Sequence, residues 1–251
     1  MKIIAVIPAR FKSSRLPGKS LADIGGKPMI QWVAEAAERA SLVSKVFIAT
    51  DDERIFSCVR GFRGEAVMTP KELSSGTERA AYVARDLDAD IVVNIQGDEP
   101  FVRPKEIDDV ARLLMDDEEA VMGTIVKKII DSEALKNPNT VKVVVDRFGY
   151  AIYFSRSPIP FSHDKERLEE WIENFNYYRH IGIYSYRKDF LLQVAEWTPT
   201  PLERAEKLEQ LRVLEHGYRI KVVETDFESM DVNTLDDLAR ARQKAEEEKY
   251  R

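Results

Sequence analysis

The sequence predicts an α/β fold, a doubly wound and mostly parallel sheet covered by helices, on three observations. Short apolar runs rich in β-branched residues stand at 2–7, 45–49 and 91–95, the pattern of strands buried on both faces. Helical patterns separate them over roughly the first 120 residues, and alternating strands and helices wind into parallel sheets. The chain has 251 residues, 44% of them hydrophobic, enough to bury one large core.

The elements follow in order. Residues 2–7 form an unbroken apolar run closed by Pro8, read as the first strand. Pro28 suits a first helical turn, and Ile30, Val33, Ala34 and Ala37 then share one helix face. After the strand at 45–49, residues 53–60, 78–87 and 104–116 read as helices, with the strand at 91–95 among them. A further buried run lies at 141–145. The second half is less regular: 150–155 and 180–186 alternate like antiparallel strands, with a charged helix at 164–175 between them. A helix at 203–216, a strand at 219–224 and a charged helix at 235–249 complete the chain. No repeat, low-complexity stretch or linker interrupts it, and near residue 150 the pattern changes character without a visible hinge.

Charge and composition exclude several functions. Lys and Arg number 38 against 44 Asp and Glu, so the net charge of −6 argues against nucleic-acid binding, which usually carries a basic face. A single cysteine and three histidines (His163, His180, His216) make an internal disulfide impossible and a zinc site improbable. No apolar run approaches the ~18 residues of a membrane span, and residues 1–8 lack the flanks of a signal peptide. The expectation is a cytoplasmic protein without membrane insertion.

In open sheets of this kind ligands sit beyond the carboxyl ends of the strands, which singles out four loops. Residues 8–19 bring Arg10, Lys12, Arg15 and Lys19 together with two serines and a glycine, a phosphate-binding composition in an otherwise acidic protein. Gly18-Lys19-Ser20 mimics the end of a P-loop, but Ser13 stands where that motif needs glycine. Ser75 and Glu78 have capping-box spacing, so Ser75-Gly76-Thr77-Glu78-Arg79 is a helix start whose free amides can also hold an anion or a base edge. Gln96-Gly97-Asp98-Glu99 follows a buried strand and reads either as a turn or as a magnesium carboxylate with a close-approach glycine. Around Asp231, spacing alone leaves a turn or helix cap, and nothing in it brings Asp231 near Asp98. His180 at a strand start reads first as a hydrogen-bonded structural residue, and Trp32, Phe190 and Trp197 read as core. Neither a nucleophile elbow nor a dinucleotide fingerprint is present.

Taken together, Ile7-Pro8-Ala9-Arg10 through Leu16-Pro17-Gly18-Lys19, Ser75 to Arg79, and Val93-Asn94-Ile95-Gln96-Gly97-Asp98-Glu99-Pro100 resemble the 3-deoxy-manno-octulosonate (Kdo) cytidylyltransferases. His180-Ile181-Gly182-Ile183-Tyr184, Leu208-Glu209-Gln210-Leu211 and Asp231-Val232-Asn233-Thr234 extend the likeness over the whole chain in order. Two neighbours depart from that family's pattern: Leu73 replaces a histidine, and Met230 a glycine.

The resemblance implies one nucleotidyltransferase domain over 1–251, with a Rossmann-like sheet of nucleotide-diphospho-sugar transferase type. Residues 1–130 and 198–251 would form its nucleotide-binding lobe, and about 131–197 a smaller antiparallel lobe for sugar binding and dimerisation, where Trp171 and Phe175 pack. It implies transfer of CMP from CTP to Kdo with release of pyrophosphate, for lipopolysaccharide biosynthesis, by a homodimer using Mg2+. Arg10, Arg15 and Lys19 would neutralise the triphosphate, and Asp98 and Asp231 would hold the metal. Ala9 and Arg10 backbone, Ser75, Gly76 and Gln96 would read cytosine, with Arg79 also among the binding residues. Arg156 would clamp the sugar carboxylate, and His180, Tyr184, Glu209 and Gln210 would read the hydroxyls. Two alternatives stand beside this: a cytidylyltransferase for another sugar acid such as sialic acid, and a non-catalytic nucleotide-binding module, against which retention of Asp98 and Lys19 argues. A sugar-1-phosphate nucleotidyltransferase would carry paired glycines after the first strand, where Pro8-Ala9-Arg10 stands.

Overall fold

A computed structural model describes residues 1–13 and 15–249, so Ser14 of the first loop lies outside the described residues. The chain opens with β1 (Ile3–Ala9), a 3-10 turn at Lys19–Leu21, and a small ribbon of β2 (Asp23–Ile24) and β3 (Lys27–Pro28). Then come α1 (Met29–Glu38), β4 (Lys45–Thr50), α2 (Glu53–Gly61), β5 (Ala66–Met68), α3 (Gly76–Ala84), β6 (Ile91–Asn94), α4 (Pro104–Asp116) and β7 (Met122–Lys128). The second half holds α5 (Ser132–Lys136), β8 (Lys142–Val145), β9 (Ala151–Ser155), α6 (Leu168–Asn174), β10 (Tyr178–Arg187) and α7 (Lys188–Ala195). It ends with α8 (Pro201–Glu206), α9 (Gln210–Glu215), β11 (Ile220–Glu224) and α10 (Leu235–Lys249).

Among the described residues the main sheet has nine strands, in the order β11-β7-β10-β6-β1-β4-β5, with β8 joined to β10 and β9. β1 runs parallel to β4 and β6, and β11 parallel to β7. β10 is antiparallel to β6, β7 and β8. The expected doubly wound, mostly parallel sheet with an antiparallel portion is therefore present. Alternation along β1 explains the two-sided cover. Ile3, Ala5 and Ile7 pack with Ile30, Val33 and Ala37 of α1 and Val110 and Leu114 of α4. Ile4 and Val6 face Ala80 and Ala84 of α3 and Leu191 of α7 on the other side. Each isoleucine so buried contributes about 1.5–3 kcal/mol, which fixes where the strand's carboxyl end, and the basic loop after it, must lie.

Several local expectations are corrected. Pro28 is the extended N-cap of α1 and the end of β3, not a first-turn residue. The helix expected from 78 begins at Gly76, because the Ser75 hydroxyl caps it by accepting from the Glu78 amide. The helix expected over 164–175 is confined to Leu168–Asn174. The single helix expected over 203–216 is broken: Lys207 adopts φ 55°, ψ 46°, ending α8, and α9 starts at Gln210. Trp197 lies beyond the end of α7, half-buried and stacked on His216 with ring centroids 3.8 Å apart. β10 reaches β6 of the nucleotide side as well as β8, so the portion at 131–197 and the main sheet share a strand.

Candidate active site

Two cavities open along the carboxyl ends of β1 and β6. The first, of about 310 Å³, is lined by Arg10, Lys12, Arg15 and Lys19 with Gly76, Gln96, Asp98 and Asn233. Its basic rim folds back on itself. Gly18 takes φ +72°, its amide donates to the Phe11 carbonyl at 2.8 Å, and a side chain there would sit 3.0 Å from the Phe11 ring. Only glycine visits that backbone region without strain. Arg10 Nη1 donates to the Ser74 carbonyl at 2.9 Å, tying the rim to the start of α3. Four cations around one carboxylate make an anion site of the kind a polyphosphate fills.

The second cavity, of about 370 Å³, shares Gln96 with the first and is lined by His180, Tyr184, Glu209, Gln210, Asp231, Arg179 and Lys207, among others. A β-bulge between Ile181 and Tyr184 shifts β10 against β7, and the bulge turns this stretch of strand past Gln96. A Cβ on Gly182 would be 3.6 Å from Gln96 Cγ. Thr124 donates to the Ile183 carbonyl at 2.8 Å, so its 2.9 Å contact with His180 Nε2 is a bond that the imidazole donates. That leaves Nδ1 as the ring's acceptor. Burial drives the His180 pKa down to about 3, so the ring is neutral. Burial also raises the Tyr184 hydroxyl, which donates to Gln210 Oε1 at 3.3 Å. Glu209 is raised by burial, against the hydrogen bonds it accepts from Ser75 and Thr77. Glu209 Oε1 and Gln210 Nε2 are buried and have no protein partner. Unpaired buried polar atoms of both kinds beside a cavity suit a polyhydroxylated ligand.

Lys19 ties the two cavities together. Its ammonium donates to Asp98 Oδ2 at 2.5 Å, to Asn233 Oδ1 at 3.0 Å and to the Val232 carbonyl at 3.2 Å. The Val232 amide in turn donates to the Asp98 carbonyl at 2.9 Å. Asp98 and Asp231, 133 positions apart in sequence, thus border the two cavities on adjoining backbone. Between them Glu99 is 3% exposed, and its carboxyl is pushed far up by burial, by the Asp231 charge and hydrogen bond, and by the Asp98 charge. Glu99 Oε2 is buried without a partner. Crowded carboxylates with an orphaned oxygen fit a hard divalent cation. No group of three or more metal-ligating side chains occurs among the described residues. Magnesium needs only one or two carboxylates, taking water and phosphate for the rest.

Most residues expected from the sequence reach these walls: Arg10, Arg15, Lys19, Gly76, Gln96, Asp98, His180, Tyr184, Glu209, Gln210 and Asp231. Ala9 is buried at the end of β1, and Ser75 caps α3 just behind the wall. Two expected residues line neither cavity. Arg79 is fully buried; it pairs with Asp51 at 2.9 Å and bonds Thr69 and the Pro70 and Leu73 carbonyls, so it holds the 69–73 loop and meets neither cavity. Arg156 is not a free carboxylate clamp either. Its guanidinium donates to the carbonyls of Glu206 (2.7 Å), Pro138 (2.9 Å) and Lys207 (3.5 Å), behind the second cavity. The cations lining that cavity are Lys207 and Arg179, the latter also paired with Glu228 at 2.6 Å. Sequence reasoning missed them, although Arg179 adjoins His180; Lys207 is brought in only by the unforeseen helix break.

Comparison with known proteins agrees with this geometry. A family model described as Cytidylyltransferase matches residues 4–222. The chain is 54% identical to the 3-deoxy-manno-octulosonate cytidylyltransferase of Geotalea uraniireducens over 96% of this chain and 97% of that one. It is 52% identical to the protein of the same name from Geobacter metallireducens, over 97% and 98%. A solved structure of CMP:2-keto-3-deoxy-manno-octonic acid synthetase complexed with CTP superposes with TM-score 0.92 at 40% identity, covering 99% of this chain and 100% of that one. A glucose-1-phosphate thymidylyltransferase from Bacillus anthracis, named putative, shares the fold with TM-score 0.66 at 18% identity, over 97% and 95%.

Proposed function

Because the chain belongs to the 3-deoxy-manno-octulosonate cytidylyltransferase family, we propose that it transfers CMP from CTP to Kdo, releasing pyrophosphate and activating the sugar for lipopolysaccharide assembly. The observation that carries this reading is the junction of a four-cation cavity with a polar one across Asp98 and Asp231. CTP takes the first cavity. Arg10, Lys12, Arg15 and Lys19 offset the charge of the triphosphate and of the departing pyrophosphate, which otherwise repels an anionic sugar acid. Gln96, Gly76 and the end of β1 face the base.

The sugar acid takes the second cavity. Glu209 Oε1 accepts from and Gln210 Nε2 donates to its hydroxyls, ending the isolation of both buried atoms. Neutral His180 offers Nδ1 as an acceptor, and Arg179 and Lys207 face the carboxylate. The anomeric oxygen bonds to the α-phosphorus as the bond to the bridging oxygen of pyrophosphate breaks, and the hydroxyl proton leaves to solvent. Asp98 and Asp231 would hold magnesium at this junction. When bound, that ion polarises the α-phosphate and lowers the hydroxyl pKa. Lys19, bonded to Asp98 and the 232–233 backbone and side chain, keeps the two carboxylates together.

We also infer a homodimer formed through the antiparallel lobe. There Phe161 (73% exposed) and Phe175 (49%) flank Trp171 and Tyr177, an aromatic cluster a second copy would cover. A cytoplasmic location fits an enzyme using CTP, and no helix among the described residues is long and apolar enough to cross a membrane. The test supplies CTP, magnesium and either Kdo or a sialic acid, and measures pyrophosphate. Release with Kdo supports the reading; release only with the other acid overturns the substrate, and no release with any acid overturns the activity.

A further inference from the structure

The second cavity has one wall without regular structure. Residues 137–141 connect α5 to β8, and Asn139, Thr140 and Val141 line the cavity. Across from them lie Lys207, Leu208 and Glu209, the equally irregular break between α8 and α9. Loops of this kind ordinarily move, and a cavity between two of them would have no fixed width.

Two cations, one buried and one half-buried, hold both walls. Lys142 is fully buried, and its ammonium donates to the Asn137 carbonyl at 2.8 Å and the Thr140 carbonyl at 2.5 Å. Arg156 takes the carbonyl between them, Pro138, and with the same guanidinium grips the Glu206 and Lys207 carbonyls opposite. Glu206 completes the brace by accepting from the Ser155 hydroxyl at 2.6 Å and the Arg156 amide at 2.9 Å. Lys142 stands opposite Ser155 of β9 and Arg179 of β10 in the sheet, so the brace is anchored in strands. Three successive-strand positions therefore fix a loop with no ladder of its own.

We propose that Lys142 is a positioning residue for the sugar-acid cavity: its buried ammonium gathers the carbonyls of the 137–140 loop inward, and so presents Asn139 and Thr140 to the substrate at a fixed distance from Lys207 and Glu209. This rests on the sugar acid occupying the second cavity. Core stability alone does not account for the residue. A buried ammonium is an expensive way to fill a strand position that methionine fills as well, and its cost is offset only where its donors have specific acceptors. Burial lowers the Lys142 pKa to about 8, partly opposed by Glu206 and reinforced by Arg156, so the ammonium persists at neutral pH.

The experiment compares wild type and Lys142→Met in steady-state assays that vary Kdo and CTP separately, with Tm measured on each protein. The expected result is a KM for Kdo raised roughly tenfold or more, with KM for CTP within about twofold. A Lys142→Met enzyme with both KM values unchanged, or with both raised together, overturns the proposal. Hydrogen exchange of the Asn139 and Thr140 amides in wild type and variant, without substrate, is the second measurement. Both amides also donate to Asn137 within the loop. Protection therefore supports the brace only where it is lost in Lys142→Met, or in Lys142→Gln if the first variant fails to accumulate. Equal exchange in wild type and variant, or exchange at the rate of an open loop in wild type, overturns it. A wild-type enzyme inactive towards Kdo but with a protected loop would instead count against the substrate reading alone.

Discussion

Replacing Gly97 by alanine tests whether the turn that carries Gln96 and Asp98 is positioned by contact with β1. An added Cβ would stand 2.7 Å from the Pro8 carbonyl oxygen, with Ile30 Cδ1 at 3.5 Å and Ile7 Cγ2 at 3.6 Å around it. Ordinary contact begins at 3.4 Å, so about 0.7 Å must be found, and the obstructing atom is strand backbone rather than a flexible side chain. The Gly97 backbone lies outside the left-handed region, so alanine is conformationally acceptable and the penalty is steric. Overpacking of this kind costs about 1–3 kcal/mol. A less flexible unfolded chain returns about 0.4–1 kcal/mol. The net loss of roughly 0–2.6 kcal/mol lowers Tm by up to roughly 10 °C at this chain length. The larger effect falls on catalysis. Because β1 is bonded on both sides, the turn must yield, carrying Asp98 about half an ångström, and a shift of that size costs roughly tenfold in kcat. Calorimetry and pyrophosphate release at saturating substrates measure the two. Unchanged Tm together with unchanged kcat would refute the reasoning.

Asp98→Asn is expected to lower kcat by at least about 10²-fold, the scale of losing transition-state charge stabilisation; near-normal turnover across a magnesium titration would remove Asp98 from the metal site. Arg79→Met strands Asp51, Thr69 and two carbonyls, and because Asp51 keeps some solvent contact the loss is set near the lower bound, about 3 kcal/mol or roughly 6–12 °C in Tm. KM for CTP should stay within about threefold in the surviving enzyme, whereas a large rise would restore Arg79 as a binding residue. His180 has its pKa lowered to about 3 by burial, so between there and its unfolded value near 6.5 the unfolded chain binds the extra proton. The stability this neutral ring supports is complete above pH ~6.5 and is lost on acidification. His180→Gln should flatten the fall of Tm between pH 6.5 and 4, and equal slopes in both proteins would contradict a neutral buried ring.

The first half of the fold was legible because its signals are local. Residues 2–7, 45–49 and 91–95 are runs that only a strand buried on both faces explains, and α4 was bounded by Pro104 at its first turn. β7 was not recognised, although it is a central strand: Gly123 and Thr124 interrupt its apolar run. Gly123 is small because a Cβ there would lie 2.7 Å from Ser185 Oγ on β10, a constraint from a distant neighbour. The break at Lys207 carries neither glycine nor proline, so no local pattern announces it. For the site, residue chemistry marked the basic loop and Asp98, but the pairing of Asp98 with Asp231 came only through resemblance, since the Lys19 ammonium and the Val232 amide that join them act across long stretches of chain. Arg79 and Arg156 stand away from both cavities for the complementary reason: an arginine in a motif looks available until its acceptors, here mostly carbonyls of other loops, are known.

β10 bonds to β6, β7 and β8 at once while carrying His180 and Tyr184. A plank nailed to three neighbours cannot act as one jaw of a clamp. The cavity proposed for the sugar and the one proposed for the nucleotide are thus joined by a strand laddered on both sides, so approach and departure of ligands would fall to the unladdered stretches at 15–18 and 226–231. Changes that stiffen those two stretches while sparing Arg15 and Asp231 should therefore slow the traffic of ligands more than the chemistry between them.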